Sequence, residues 1–464
     1  MSKTLSLGSD NIGKLLFNYA TPAIIAMTSS SLYHLIDSIF VGRGVGGAAI
    51  AGMAITMPIM NIGSAFGAMV GVGAGARISL RLGEGNKAAA EKTLCNAVIL
   101  NIIIGFTIMA VMLGFLDEIL LLVSGGEASA ETLSYAKDFM QIILLGNVTM
   151  HLYLGMNDMI RSSGNPRKSM AIMLTSVAIN LALNPLFIFV FKWGIQGSAA
   201  ATVISQFVCF LLTLSHFCSE KSFLHFKREA FHVDWTIIKN ILSIGLAPFL
   251  MNICASIVVI FVNRAMLMHG GADLYVSAYG IVNRIALLFI MVVQGLNQGM
   301  QPIVGYNYGA KNYARVRKVV YMTICCGVAF ATIGFILGQT IPDDIARAFV
   351  DPTKGDDALI VAAAAEGLRI VLAVFPLVGF QVVVGGFFQY IGKAPLAIFI
   401  SLTRQLLFLL PLLWFLPREF GAHGVWISMP IADSASIILA LALFVWQIRK
   451  IKQMELSKKP LRQY

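Results

Sequence analysis

Charge is scarce in this sequence. Only 12% of its 464 residues are Asp, Glu, Lys or Arg, and 58% are hydrophobic. Soluble domains usually carry about a quarter charged residues, so this balance argues against an ordinary globular protein. Cysteine is also rare. The six cysteines form no CxxC motif and no Cys/His cluster, which excludes a disulfide framework and a zinc site read from spacing. No GxxxxGK[ST] loop occurs, so ATP is not the direct energy source. The glycines of GAMVGVGAGAR at 67–77 follow no strand and are not a nucleotide loop. Gly67, Gly71 and Gly75 recur every fourth residue, which lays a smooth strip along one helix face for close helix packing. No enzyme signature and no cofactor motif remains, so a non-enzyme is expected.

What is abundant is apolar sequence. Stretches long enough to span a bilayer recur from residue 15 to residue 448. The first is too long for a cleaved signal and lacks a small-residue cleavage site. The chain reads as an all-α polytopic membrane protein with twelve transmembrane helices. They are expected near 15–41, 48–76, 93–116, 133–160, 168–191, 197–217, 236–266, 274–304, 315–340, 358–391, 395–416 and 424–448.

The net charge of +11 is a matter of distribution. Arg77, Arg81, Lys87 and Lys92 follow helix 2, Arg161, Arg167 and Lys168 follow helix 4, and Lys311, Arg315, Arg317 and Lys318 follow helix 8. The opposite loops carry Asp117, Glu118, Glu127 and Glu131, then Asp343, Asp344, Asp351, Asp356 and Asp357. By the positive-inside rule both termini are cytoplasmic. The basic residues are scattered over short loops, so no nucleic-acid partner is expected.

The chain repeats itself. ATPAIIAMTSS at 20–30 resembles LAPFLMNICAS at 246–256, with Pro22 over Pro248. LGEGNKAAAEK at 82–92 resembles YNYGAKNYARV at 306–316, IRSSGNPRKSM at 160–170 resembles QYIGKAPLAIF at 389–399, and WGIQGSAAA at 193–201 resembles FGAHGVWIS at 420–428. The spacing stays nearly constant, and several matches lie in polar turns where hydrophobicity alone produces none. Six helices per half keep the orientation, so the halves are two six-helix bundles related by a pseudo-two-fold axis along the membrane normal. The expected organisation is an N-terminal lobe at 1–217, a cytoplasmic linker at 218–235, and a C-terminal lobe with a basic tail at 236–464.

Function is sought at polar side chains within the spans. Asp37 stands in LYHLIDSIFVG on helix 1. Asn180 and Asn184 lie four apart on helix 5, hence on one face, and Thr202 lies near the start of helix 6. All four fall at comparable depth. Read singly, each has a plainer role: Asp37 as a wetted helix-end residue, the asparagines as helix–helix bonds. Read together, they form one oxygen-rich cavity. The repeat counterpart of Asp37 is Asn263, and the counterparts of the two asparagines fall among leucines at 405–411. If the chain couples to an ion, the coupling should reside in the first half. His34, Met57, Asn61, Asn147 and Gln206 are the candidates for a substrate cavity. Asp433 reads first as locally capped by Ser434 and Ser436, Arg284 and Arg404 as snorkelling, and Glu366 with Arg369, like Asp158 with Arg161, as a local pair.

ATPAI, LIDSIFVGRGVG, RSSGNPRKSM, NLALNPLFIF, GSAAATVISQ, QPIVGYNYGAKNYAR and FFQYIGKA, in that order, resemble the multidrug and toxic compound extrusion (MATE) family, and within it the bacterial drug exporters whose acidic residue lies in the N-terminal lobe. The resemblance implies a V-shaped pair of lobes, alternating access, a multi-pass location in the bacterial inner membrane, and export of amphipathic, often cationic small molecules against inward H+ or Na+. It implies that Asp37, Asn180, Asn184 and Thr202 form the cation site, with no metal beyond Na+ there, and that the protein works as a monomer. Asn184 departs from the Asp frequent at that position. PFLMNICASIV lacks the helix 7 glutamate of another branch. The rival readings are a lipid-linked saccharide flippase of related fold, which needs a cationic central cavity, and a membrane receptor without a transport cycle.

Overall fold

The computed structural model describes residues 7–124, 129–220, 222–269, 273–349 and 357–457. Glu127, Asp351, Asp356 and the tail beyond 457 lie outside them. The elements are helical throughout the described residues. We label the spanning elements α1 to α12. α1 is Ile12–Gly44, α2 Gly47–Gly83 and α3 Lys87–Gly114. α4 has two arms, Ala130–Leu145 and Asn147–Ser162, bent by 56° at Gly146. α5 is Pro166–Pro185 and runs into a π turn, Leu186–Val190. α6 is Gly194–Cys218, α7 Trp235–His269, α8 Asp273–Gly309 and α9 Tyr313–Thr340. α10 is Asp357–Leu372 with Phe375–Tyr390, its arms bent by 53°. α11 starts at Ala394–Leu402 and passes through a second π turn, Thr403–Leu409.

From there helix runs on to Leu456, making one 63-residue apolar stretch. A straight helix of that length would measure about 95 Å, three times the hydrocarbon core of about 30 Å. It is two spans. Gly421 has φ 58° and ψ −142°, outside helical space. A Cβ on Gly424 would come within 2.3 Å of the Leu416 carbonyl oxygen, so the chain folds back on itself here. α11 therefore covers 394–420 and α12 covers 422–456. With each bent pair counted as one crossing, the described helices give the twelve expected.

Proline explains the π turns. Pro185 cannot donate to the carbonyl one turn back, and Pro411 crowds the turn before it, so the local backbone rewinds to wider bonding. Both turns fall on α5 and α11, the two elements that the repeat equates.

Contacts divide the chain into two compact units, Met1–Ser9 with Ile25–Asn252, and Asp10–Ile24 with Ile253–Tyr464. Glycine notches build each. In the first unit a Cβ on Gly245 of α7 would sit 1.8 Å from the Met69 carbonyl oxygen of α2. In the second a Cβ on Gly299 of α8 would sit 2.5 Å from the Ala20 backbone of α1. These are backbone-to-backbone approaches that only the missing side chain permits. The strip read from the sequence makes room for side chains of α4: Cβ atoms on Gly67 and Gly71 would meet the His151 ring at 3.0 Å and the Asp158 carboxylate at 2.8 Å.

The start of α3 and the start of α9 each anchor an incoming segment. Glu91 is fully buried and pairs with Lys227 at 2.8 Å, Lys87 at 3.6 Å and His225 at 3.9 Å. Asn96 Oδ1 accepts from the Asp234 backbone N–H at 2.9 Å. The segment ahead of α7 is thus held down. At the position equivalent to Glu91, Arg315 bonds Asn307 Oδ1 at 3.1 Å and donates to the Asp10 carbonyl at 2.7 Å, ahead of α1.

Candidate functional site

Three helices of the first unit bring six polar side chains together in two layers. In one layer Asp37 Oδ1 accepts from Ser198 Oγ at 2.8 Å and from Asn184 Nδ2 in a short bond. In the other Asn180 Nδ2 donates to Thr202 Oγ1 at 3.1 Å and to Tyr33 Oη at 3.4 Å, and Tyr33 Oη lies 3.0 Å from Thr202 Oγ1. A bond of 3.4 Å from Asn184 Nδ2 to Asn180 Oδ1 joins the layers. The construction follows from helical geometry. Tyr33 and Asp37, Asn180 and Asn184, Ser198 and Thr202 are each four residues apart, so every helix contributes one residue to each layer.

Asp37 is 4% exposed, and Asn184 and Ser198 are fully buried. Gly197 makes the approach possible: a Cβ there would lie 2.9 Å from the side chain of Phe187 in the π turn of α5. Ser198 is thereby set against Asp37.

The electrostatics are unbalanced. Among the described residues no Lys, Arg or His ion-pairs with Asp37, and its bonded partners are neutral donors. Asn184 Oδ1 is buried without a hydrogen-bond partner. A buried carboxylate beside an unused amide oxygen is costly until a cation arrives. The Asp37 carboxylate, the amide oxygens of Asn180 and Asn184 and the Thr202 hydroxyl supply the hard oxygen donors that Na+ prefers, and a proton on Asp37 would neutralise the site equally.

The chain matches the MatE family over residues 22–186 and again over 244–415. The chain belongs to the MatE family. The double match follows the internal repeat. Multidrug export protein MepA of Staphylococcus haemolyticus is 26% identical over 439 residues, 95% of this chain and 94% of that one. MepA of Staphylococcus aureus strain N315 is 26% identical over 94% of each. Among solved structures, a MOP superfamily transporter from Pyrococcus furiosus superposes with a TM-score of 0.90 at 23% identity, over 97% of this chain and 99% of that one. An outward-facing multidrug resistance MATE family transporter also gives 0.90, at 24% identity over 99% and 100%. These structures share the fold. With nine to eleven helices counted as apolar and long enough to span, and one of them a double crossing, this MatE chain is a multi-pass membrane protein.

Asp37, Asn180, Asn184 and Thr202, the four residues expected to hold a cation, all lie in this hydrogen-bonded cluster. Tyr33 and Ser198 were missed, although each lies four residues from a chosen one on the same face. Met57, Asn61, Asn147 and Gln206, the described residues expected in a separate substrate cavity, lie outside this cluster. The His34 side chain lies outside the described residues. Met57 and Asn61 are exposed, Gln206 is half-buried, and Asn147 donates its Nδ2 to the Gly105 carbonyl at 3.0 Å, bonding α4 to α3.

Four other expectations are corrected or kept. The Asp433 carboxylate is not capped by neighbouring serines, and Arg404 does not snorkel: its Nε donates to Asp433 Oδ1 at 2.5 Å. Glu366 meets His423 at 2.6 Å, and Arg369 reaches Asp343 at 3.1 Å, because both residues of the supposed local pair face other segments. Asp158 and Arg161 do pair, at 2.8 Å.

Proposed function

We propose that this MatE protein is an antiporter that exports amphipathic, often cationic small molecules by alternating access, driven by inward movement of H+ or Na+. The observation that carries the reading is Asp37, buried with neutral donors on one oxygen and an unpartnered Asn184 Oδ1 beside it. Such a carboxylate is stable in either of two ways: bound to a cation, or opened to water. Loading from outside would close the two layers around the cation. Release inside would leave Asp37 charged, and the bonds from Ser198 and Asn184 would then hold it. The inward cation moves down the membrane potential, which supplies about 2.3 kcal/mol per charge per 100 mV. The relatives named multidrug export proteins support the substrate class.

In this reading both termini are cytoplasmic, the lobes at 1–217 and 236–464 are joined by the linker at 218–235, the membrane is the bacterial inner membrane, and the working unit is a monomer. Asp37, Asn180, Asn184 and Thr202 hold the cation; Tyr33 and Ser198 complete the shell. No cofactor is required.

The test is uptake of a fluorescent organic cation into proteoliposomes under an imposed proton gradient, then under a sodium gradient. Uptake under one or both, abolished by Asp37→Asn in protein that still inserts, is expected. Uptake that ignores both gradients, or an active D37N variant, overturns the proposal.

A further inference from the structure

The second unit also buries an aspartate, but balances it differently. Asp433 on α12 is 5% exposed. Arg404, in the π turn of α11, bonds its carboxylate at 2.5 Å. Ser436 Oγ, one turn along α12, donates to the Asp433 backbone carbonyl at 2.9 Å and to Gln381 Oε1 of α10 at 3.1 Å. Among the described residues no other charged side chain ion-pairs with Asp433. An arginine side chain keeps its proton under all ordinary conditions. The charge on Asp433 is therefore balanced within the chain at all times.

Among the described residues no such charge ion-pairs with Asp37. Yet the settings are alike, since both aspartates bond the equivalent helix of their unit, α5 or α11, at or next to its π turn. We infer that Arg404 is a built-in counter-cation, holding beside Asp433 the place that an exchangeable ion holds beside Asp37, and that this pair limits the chain to one exchangeable cation site. The inference rests on the reading of Asp37 given above only for the word "one". The role of Arg404 stands on its own geometry.

It follows that removing Arg404 should create an ion-dependent site where none existed. An ionised carboxylate left unpaired in a span is costly, so Asp433 would then recruit a proton or Na+. Melting of the purified full-length protein in detergent reads this directly, because a ligand bound by the folded state raises the melting temperature. The background is D37N, which removes the first site. D37N supplies the baseline for melting against pH between 6 and 9 and against added NaCl, and the responses below are differences from it. In D37N/R404Q the melting temperature should rise on acidification, on the order of 2 °C per pH unit, or rise on titration with Na+ at constant ionic strength. Adding Asp433→Asn should remove that dependence. The charge-keeping R404K should show none.

If D37N/R404Q responds no more than D37N does, or if D433N leaves a new dependence in place, the inference fails. Should R404Q not fold at neutral pH, folding rescued by low pH or by D433N supports it. Failure of both R404Q and R404Q/D433N to fold overturns it, since the arginine would then serve packing alone. The two readings fail separately. Equal ion sensitivity of wild type and D37N would sink the assignment of Asp37, while the comparison of D37N/R404Q with the triple variant still decides Arg404.

Discussion

Among the described residues the two repeats each bury one aspartate against the same-ranked helix, and then balance it differently. Asp37 is met by an amide and a hydroxyl, Asp433 by a guanidinium. Neutral donors leave a net negative charge for a mobile ion to cancel. A tethered cation leaves nothing to exchange. On the function proposed above the two halves would differ in role, one suited to bind an ion and the other held electrically fixed. The repeat position of Asp37 confirms how local the difference is: it is Asn263, on a helix face without a carboxylate.

The strongest way to break this comparison is to move the acid. Asp37→Asn should lower gradient-driven uptake at least about 100-fold, which corresponds to about 2.7 kcal/mol of lost coupling. Asn263→Asp in the same molecule should not restore it, because a carboxylate there lacks counterparts of Asn180 and Asn184. Recovered uptake in D37N/N263D would show that the halves are interchangeable and the asymmetry incidental.

The glycine notches test what the units share. Gly245→Ala and Gly299→Ala each push a methyl into backbone, at 1.8 Å and 2.5 Å. Overpacking of this kind costs about 1–3 kcal/mol. Both variants should melt lower than wild type, Gly245→Ala by more. If only one responds, the two packings are not equivalent.

Ser198→Ala is a finer probe of the site. It removes one of two donors to Asp37 Oδ1 and leaves the carboxylate in place. A bond to a charged group is worth about 1.5–3 kcal/mol, so the apparent affinity for the driving ion should change by about tenfold or more while maximal uptake persists. The direction is informative. Ser198 stabilises the anion, so its loss should favour the protonated or Na+-bound form and raise affinity. A variant identical to wild type would remove Ser198 from the site.

Much of this was legible beforehand, for physical reasons. Hydropathy runs locate spans because each must cover the same bilayer thickness, and twelve crossings were expected and found. The bends in α4 and α10 were not read in advance, although Gly146 with Asn147 and Pro376 mark the two breaks. Asp37, Asn180, Asn184 and Thr202 stood out because polar groups in spans are expensive and these share depth. Tyr33 and Ser198 did not, because a hydroxyl in a span commonly bonds its own helix and attracts no notice. The Arg404–Asp433 bond was hidden most deeply. It joins two helices through a π turn, which rotates the arginine off the face that an ideal α-helix would give it.

The smallest effect expected concerns the anchors, where the halves use opposite charges at one repeat position. Glu91 holds Lys227, Lys87 and His225; Arg315 holds Asn307 and the Asp10 carbonyl. Hydrogen bonding and charge from Glu91 raise the pKa of Lys227, so the lysine stays charged and its contribution to the anchor is lost only as pH rises through the lysine range. Exposed ion pairs are worth little, about 0–1 kcal/mol, but Glu91 itself is buried and two lysines and a histidine converge on it. Glu91→Gln should therefore speed limited proteolysis within 222–234 several-fold and leave cleavage near residue 10 unchanged. Arg315→Gln should do the reverse. Lys227→Ala should move linker cleavage least, since Lys87 and His225 remain. If either anchor variant loosens both segments, the two are not independent fastenings, and the opposite charges at the shared position serve one structure rather than two.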